Sequence, residues 1–318
     1  MKKIILSLCI VLGIAQATPK LTFYFDAGGP VGGAYDSIVV NGARMAAKNL
    51  GINLKIYYSN WQASKMINNF KKALASSPDG IAIMGHPGDD AFSLLLKKAE
   101  KRGIVITSLD TPLPKSEQKY ASKGFGYVGT SYYKSGQALV KEAIKRNKTK
   151  KGSLALVWGL LSQPTRGMRA RGMLDELKKE GMKTKYIEIS NEINKDPSLG
   201  SPVFTAYITK YPQTKLIFID HGGLTGQMEN FSKIAGISAK GYYICGGSLS
   251  SATIHAIKDG YVDLVSDGQP FLQGYLAVTG MVLSKKYGFS GLHIDTGAGF
   301  ISKDNIKQIE SLSKQNIR

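Results

Sequence analysis

The stretch Asp267-Gly-Gln-Pro-Phe-Leu-Gln-Gly-Tyr275 ends one strand and opens one helix. Before it, Tyr261-Val-Asp-Leu-Val-Ser266 is rich in the residues that suit a pleated, half-buried strand. Pro270 fits the first turn of a helix, where its missing N–H leaves no bond unmade, and Gly268 supplies the freedom for a sharp reversal. Asp267 and Gln269 thus stand at the carboxyl end of a strand, the end at which open α/β sheets bind ligands. On these residues alone, a plain turn competes evenly with a ligand-binding crossing.

Outward from this crossing the chain repeats one unit. Leu21-Thr-Phe-Tyr-Phe25 is a compact apolar strand, followed by the loop Asp26-Ala-Gly-Gly-Pro-Val-Gly-Gly33 and a helical pattern through Ala47. Strand, glycine loop and helix cradle phosphate in some folds, but this spacing matches neither the P-loop nor the dinucleotide fingerprint. A flexible loop over a ligand cleft is the better reading. The pattern continues with strand 53–58, helix 62–77, strand 80–84, helix 89–102 and strand 104–108. Pro112, Pro114 and a lysine-rich loop interrupt it over 112–124, which marks a boundary, and 125–131 restores a strand. Helices then fall at 132–147, 167–180, 202–211 and 223–235, with strands at 153–158, 184–189, 215–220 and 241–245. Such alternation implies parallel βαβ units with right-handed crossovers. The expected fold class is α/β, with two similar doubly wound parallel-sheet lobes.

Polar residues at the strand exits are then the informative ones. In the first half they are Asp26 in the glycine loop, Tyr35 and Asp36 at the helix entrance, Trp61, His86, and Asp110 with Thr111. Asp36 is equally an acid favoured by the helix dipole, Trp61 equally a packed aromatic, and His86 equally a capping histidine. Asp110 stands apart because it follows an apolar strand directly. In the second half, Arg166-Gly-Met-Arg-Ala-Arg-Gly-Met173 sets three arginines at a helix start, where the dipole disfavours cations. Asp220 and His221 leave the next apolar strand.

With 43% hydrophobic and 20% charged residues over 318 positions, the chain has the composition of a folded protein of about two domains. Met1-Lys-Lys3, the apolar run from Ile4 to Ile14 and Ala15-Gln-Ala17 form a secretory signal, with cleavage expected after Ala17. The run is shorter than the roughly 20 apolar residues of a membrane anchor. Cys9 lies inside it, so the mature chain keeps Cys245 alone and forms no intramolecular disulfide. A formal charge of +19 would ordinarily suggest nucleic acid, but export argues against that partner. The lysines are spread along helices, as on a solvated face, and only Lys141 to Lys151 forms a dense run. His86, His221, His255 and His293 show no metal-ligand spacing, and no Gly-x-Ser-x-Gly elbow is present. No metal, cofactor or catalytic activity is expected.

The order of Gly-Gly-Ser248, Ile257-Lys-Asp-Gly260, the 267–275 crossing, Ile294-Asp-Thr-Gly297 and Ser302-Lys-Asp-Asn305 resembles type I periplasmic sugar-binding proteins. These are the ribose and galactose binders that feed ABC importers, and the resemblance spans Thr18 to about Ile309. It implies a three-strand hinge near 128–131, 267–269 and 294–297. The expected division is a signal peptide at 1–17, one lobe of 18–129 plus 270–293, and a second of 130–269 plus 294–318. The resemblance also implies that Asp110 bonds sugar hydroxyls, that Arg169 (with Arg166 in reserve) is the ligand-binding arginine ahead of Gly172-Met173, and that Asp220 joins them. Ser248 stands where the ribose binders commonly carry aspartate, and Thr111 where many members carry arginine, so the particular sugar is left open. The implied partner is an ABC permease or, alternatively, a chemoreceptor or histidine-kinase sensor domain, with the protein acting as a monomer in the periplasm. Asp110 and Arg169 are expected to face water in the open form, so that replacing either leaves the ligand-free protein as stable as before.

Overall fold

The computed structural model describes residues 20–318 apart from residues 298, 314 and 316. The expected signal sequence and its cleavage after Ala17 lie outside the described residues. In chain order, the first lobe begins with β1 (Thr22–Asp26), α1 (Ala34–Leu50), β2 (Asn53–Tyr57), α2 (Ala63–Ala75) and β3 (Gly80–Met84). It continues with α3 (Asp89–Lys101), β4 (Val105–Asp110), α4 (Pro114–Tyr120) and β5 (Gly126–Gly129). The chain then crosses into α5 (Tyr132–Asn147), β6 (Leu154–Gly159), α6 (Gly167–Lys179), β7 (Lys183–Glu188), α7 (Asn191–Lys195) and α8 (Ser201–Lys210). The second lobe goes on through β8 (Thr214–Ile219), α9 (Gly222–Ile234), β9 (Tyr243–Gly247), α10 (Ser251–Asp259) and β10 (Leu264–Asp267). A second crossing opens α11 (Pro270–Tyr287) and β11 (His293–Asp295), and a third leads to β12 (Gly299–Ser302) and α12 (Ile306–Ser313).

Two six-stranded sheets result, ordered β11-β5-β4-β3-β1-β2 and β12-β10-β9-β8-β6-β7. All pairs are parallel except β10 with β12. Both sheets reverse direction beside their first strand, and ligands of open α/β sheets bind outside the carboxyl ends at that reversal. The central strands are buried on both faces, as parallel strands covered by helices must be: β3 and β6 are buried at every position, while the edge strands β2 and β7 alternate with exposed residues. Phe23, Phe25, Phe70 and Phe92 anchor the first core, and Trp158, Phe204 and Phe231 the second. Each such ring contributes roughly 2–3 kcal/mol on burial.

Residues 112–124 are not the irregular loop the prolines suggest, because they hold α4 and a 3₁₀ turn at Ala121–Lys123. Pro114 occupies the first turn of α4, and the Asp89 carboxylate accepts the Ser116 amide at 2.8 Å, a cap supplied by another helix. A seven-residue helix is too short to show a 3.6-residue period. The helix α10 is a further element absent from the sequence pattern above, although Ser250 caps it through the Thr253 amide at 3.1 Å and Gly260 ends it at φ 83°.

Close helix packing places the second-lobe site. A Cβ on Gly136 of α5 would lie 2.2 Å from the Arg169 carbonyl, and one on Gly172 of α6 would lie 2.1 Å from the Tyr133 carbonyl. Only glycine at both positions lets α5 and α6 touch backbone to backbone, which brings Tyr132 and Arg169 together.

The three crossings are tied by Thr296. Its amide donates to Gly129 O at 2.8 Å, and its hydroxyl lies 2.7 Å from Gly268 O and 3.2 Å from Gly129 O. Gln273 of α11, 1% exposed, donates its amide to Gly268 O at 2.9 Å and to the Thr296 hydroxyl at 3.1 Å.

Candidate functional site

Side chains from the carboxyl ends of both sheets meet between the lobes. The Tyr132 hydroxyl, at the start of α5, donates to Asp110 Oδ2 at 2.7 Å across from β4. The Arg169 guanidinium lies over the Tyr132 ring, 4.6 Å from its centre, and Arg169 Nη1 donates to Asp220 Oδ1 at 3.0 Å. One line of contacts therefore runs from Asp110 in the first lobe to Asp220 after β8 in the second.

Backbone strain marks the same region. Eight non-glycine residues among those described have left-handed φ, and five of them stand at strand exits or on a crossing: Asn60, Trp61, Asp110, Ser248 and Gln269. Such residues cost of order 1–3 kcal/mol each and persist where the surroundings hold them. At Asp110, with φ 59°, the Tyr127 hydroxyl donates to the carbonyl at 3.0 Å and fixes the turn.

On the first-lobe wall, Trp61 is 45% exposed, with Tyr35 and His86 rings at 5.6 and 5.5 Å from its centre. Tyr35 donates to Gln273 Oε1 at 2.6 Å, which joins this aromatic wall to the crossings. His86 Nε2 lies 3.5 Å from Asp110 Oδ2. Burial holds the His86 pKa below its ordinary value and Arg166 adds to that effect, while Asp110 opposes it, so the ring is neutral at pH 7. Thr111 follows at 2% exposure.

Asp26 and Asp36 depart from the expected role of cleft-facing acids. Asp26 is 5% exposed and accepts from Ser59 Oγ at 2.5 Å, Asn69 Nδ2 at 3.0 Å and the Gly28 amide at 2.9 Å. Asp36 is 1% exposed and accepts the Gly29 amide at 2.7 Å. A Cβ on Gly29 would lie 2.3 Å or less from either Asp36 oxygen, so this glycine admits the carboxylate. The two acids hold the glycine loop from beneath.

On the second-lobe wall, Arg169 is not a water-facing side chain. Its side chain is 18% exposed and that of Asp220 2%, which makes them a buried ion pair. Burial works against the Arg169 cation, but Asp220, Tyr132 and Asp110 together outweigh it and raise the guanidinium pKa further. Burial raises the Asp220 carboxyl, with Arg169 and Arg166 opposing. Arg166 Nη1 lies 3.4 Å from Asn194 Oδ1, and its charge acts on both His86 and His221. His221 Nδ1 accepts the Leu224 amide at 3.2 Å and caps α9, and burial lowers its pKa to about 4. Ser248 is exposed beside Gly222.

Asp267 and Gln269 lie on the second crossing and spend polar atoms on the protein itself. Asp267 accepts the Gln269 amide at 3.0 Å and pairs with Arg318, while Gln269 Nε2 donates to Thr296 O at 2.7 Å. Tyr132, Gln273 and Thr296 escaped the sequence reading. Tyr132 and Tyr133 look alike in sequence, yet the Tyr133 hydroxyl turns outward to Asp175 Oδ2 at 2.9 Å. Helix phase relative to the cleft separates them, and two adjacent tyrosines carry no sign of it.

Four buried polar atoms of this region have no hydrogen-bond partner among the described residues: His86 Nδ1, Thr111 Oγ1, Arg169 Nε and Asp220 Oδ2. Two doubly wound lobes, three crossings and a polar cleft at the sheet reversals define a two-lobed binding protein of the type I periplasmic class. The chain belongs to the periplasmic binding protein domain family, whose model matches residues 29–284. It is 28% identical over 257 residues to a xylose/arabinose-binding protein of Sulfolobus acidocaldarius, covering 76% of this chain and 61% of that relative's length. Among solved structures it is similar to an ABC transporter solute-binding protein of Burkholderia graminis in complex with D-arabinose. That match has a TM-score of 0.75 at 22% identity, over 90% of this chain and 96% of the other. A carbohydrate transporter protein of Acidothermus cellulolyticus in complex with myo-inositol matches with a TM-score of 0.74 at 20% identity, over 94% and 100% of the chains. At these identities the structural matches speak for the fold.

Proposed function

We propose that this protein captures a monosaccharide or related polyol between its lobes and delivers it to an ABC importer in the periplasm, after export and removal of residues 1–17. The carrying observation is that His86, Thr111 and Arg169 hold buried, unpartnered polar atoms on both walls, beside the half-exposed indole of Trp61. A sugar suits such a surface on chemical grounds. Each hydroxyl both donates and accepts, so it serves a neutral histidine, a threonine hydroxyl and a guanidinium alike, while the C–H face of the ring stacks on indole. Each unpaired buried group costs about 1–3 kcal/mol, which a ligand hydroxyl offsets. Asp110 and Asp220 supply the acceptors, and Tyr35, Arg166 and Ser248 border the ligand. Asp267 and Gln269 act through the crossings, and Asp26 and Asp36 through the glycine loop. The names of the relatives support the same ligand class, since a pentose binder and a polyol complex stand among them.

Calorimetric titration of pentoses, hexoses, cyclic polyols and amino acids into the purified protein tests the ligand. At least one sugar or polyol should bind with a Kd near or below about 1 μM, roughly −8 kcal/mol. Amino-acid binding with no response to any polyol would refute the reading. Delivery is tested by ATP hydrolysis of the cognate importer in proteoliposomes, which should rise only when liganded protein is added.

A further inference from the structure

The end of the first lobe opposite the cleft carries a surface that ligand capture does not use. Tyr287 is 66% exposed, Phe289 59% and Leu292 49%, all between the end of α11 and the start of β11. Because β11 runs parallel to β5, this segment lies at the amino ends of the strands, and the cleft lies at their carboxyl ends. Gly288, at φ 70°, turns the chain so that Tyr287 and Phe289 flank the bend with ring centres 6.1 Å apart. The segment is anchored from behind. Gly291 donates to Ala121 O at 2.8 Å, and Lys285 Nζ donates to Gly103 O at 2.9 Å.

Those anchors gather the exposed cations Lys101, Lys123 and Lys286 around the aromatic bend. Two nearby acids are already engaged, Asp79 at 3.5 Å from Lys285 and Glu117 at 2.7 Å from His293, and a third, Glu100, lines a small cavity with Lys123, which leaves the cations in excess. An apolar tip with a basic rim is the side-chain pattern that partitions into the headgroup boundary of a bilayer, rings inward and ammonium groups at the phosphates.

We propose that this tip contacts membranes whose surface carries anionic phospholipid headgroups. A second copy of the chain is a poor occupant, because a protein of formal charge +19 would bring the same positive rim to the contact. Contact would hold the protein near the bilayer without engaging the cleft.

Flotation of the full mature chain with vesicles tests this, using phosphatidylcholine alone and phosphatidylcholine with phosphatidylglycerol. The protein should float with the anionic vesicles at low salt and leave them at high salt. A Tyr287→Ser/Phe289→Ser double variant and a separate Lys286→Glu variant should each lower the bound fraction by about tenfold, with unchanged circular dichroism and thermal unfolding. No flotation with anionic vesicles, equal flotation of the double variant, or equal binding to neutral vesicles would each overturn the proposal. So would a wild-type dimer that the double variant converts to monomer in sedimentation equilibrium, or an acidic protein held by the same residues without vesicle binding.

Discussion

The Arg169 guanidinium, 3.0 Å from the Asp220 carboxylate and 4.6 Å from the centre of the Tyr132 ring, belongs at once to a buried ion pair and to the cleft wall. Asp110, 14% exposed and so no more water-facing than Arg169, is placed differently: it takes the Tyr132 hydroxyl at 2.7 Å, and the Arg169 charge reaches it without a direct ion pair. The two residues should therefore respond differently to mutation. Arg169→Ala leaves the buried Asp220 without its direct ion-pair partner and with only the more distant Arg166 charge, so it should remove binding and also lower the stability of the ligand-free protein by about 3 kcal/mol. Asp110→Asn keeps an acceptor for Tyr132 and loses only the charge-assisted bonds to ligand. It should weaken binding roughly a hundredfold with little change in ligand-free melting. Titration calorimetry beside melting curves of both variants separates the two cases. Unchanged ligand-free melting of Arg169→Ala would show that the ion pair does not persist when the lobes part.

At the scale of an element, the loop between β1 and α1 is shaped by acids that sequence reading assigns to the ligand. Burial raises the Asp36 carboxyl to about 6, while the Gly29 amide opposes the shift. A carboxyl with a folded pKa above its unfolded value contributes stability that is present at low pH and lost as pH rises through the folded value. For Asp36 the window runs from the ordinary 3.8 to about 6. Asp263, which accepts the Ile244 amide at 2.8 Å and is raised to about 6, acts in the same direction. His221 acts in the opposite one: its pKa falls from 6.5 to about 4, so its contribution is present above 6.5 and lost as pH falls through 4. The wild-type profile therefore mixes both signs, and the informative quantity is a difference. Relative to wild type, Asp36→Asn should gain about 2 kcal/mol as pH rises from 4 to 7, read from urea unfolding at each pH. A flat difference would mean that the loop does not hold the Asp36 charge in a buried site.

For the whole molecule, the three crossings meet at Thr296 and should act as a joint that bends while its backbone bonds stay paired. Hinge closure of this kind moves each lobe nearly as a rigid body, so small-angle scattering should show compaction on saturation with a sugar that binds. Tight binding with an unchanged scattering curve would exclude closure. The Thr296 hydroxyl bridges Gly268 O and Gly129 O, one on each of the other crossings. Thr296→Val keeps the shape and removes the bridge. It should cost about 1–2 kcal/mol of stability and change the extent of compaction without touching the ligand.

The sequence by itself determined the alternation of strands and helices, and with it the fold. The helix read at 132–147 is α5, and the strand read at 80–84 is β3, because apolar periodicity and glycine punctuation are properties of neighbouring residues. It also located the strand exits that carry His86, Asp110 and Asp220, since the side of a parallel sheet that binds follows from strand direction alone. What each exit residue touches was settled only by tertiary structure. Gly136 and Gly172 set how closely α5 meets α6, and that distance decides that Arg169 pairs with Asp220 and that Tyr132, not Tyr133, reaches Asp110. Asp26 and Asp36 turned under the glycine loop for a similar reason: a buried carboxylate goes where amides and hydroxyls from other elements can satisfy it. Those partners lie 2 to 43 residues away in Asp26's case, and only the folded chain brings them within 3 Å of one carboxylate.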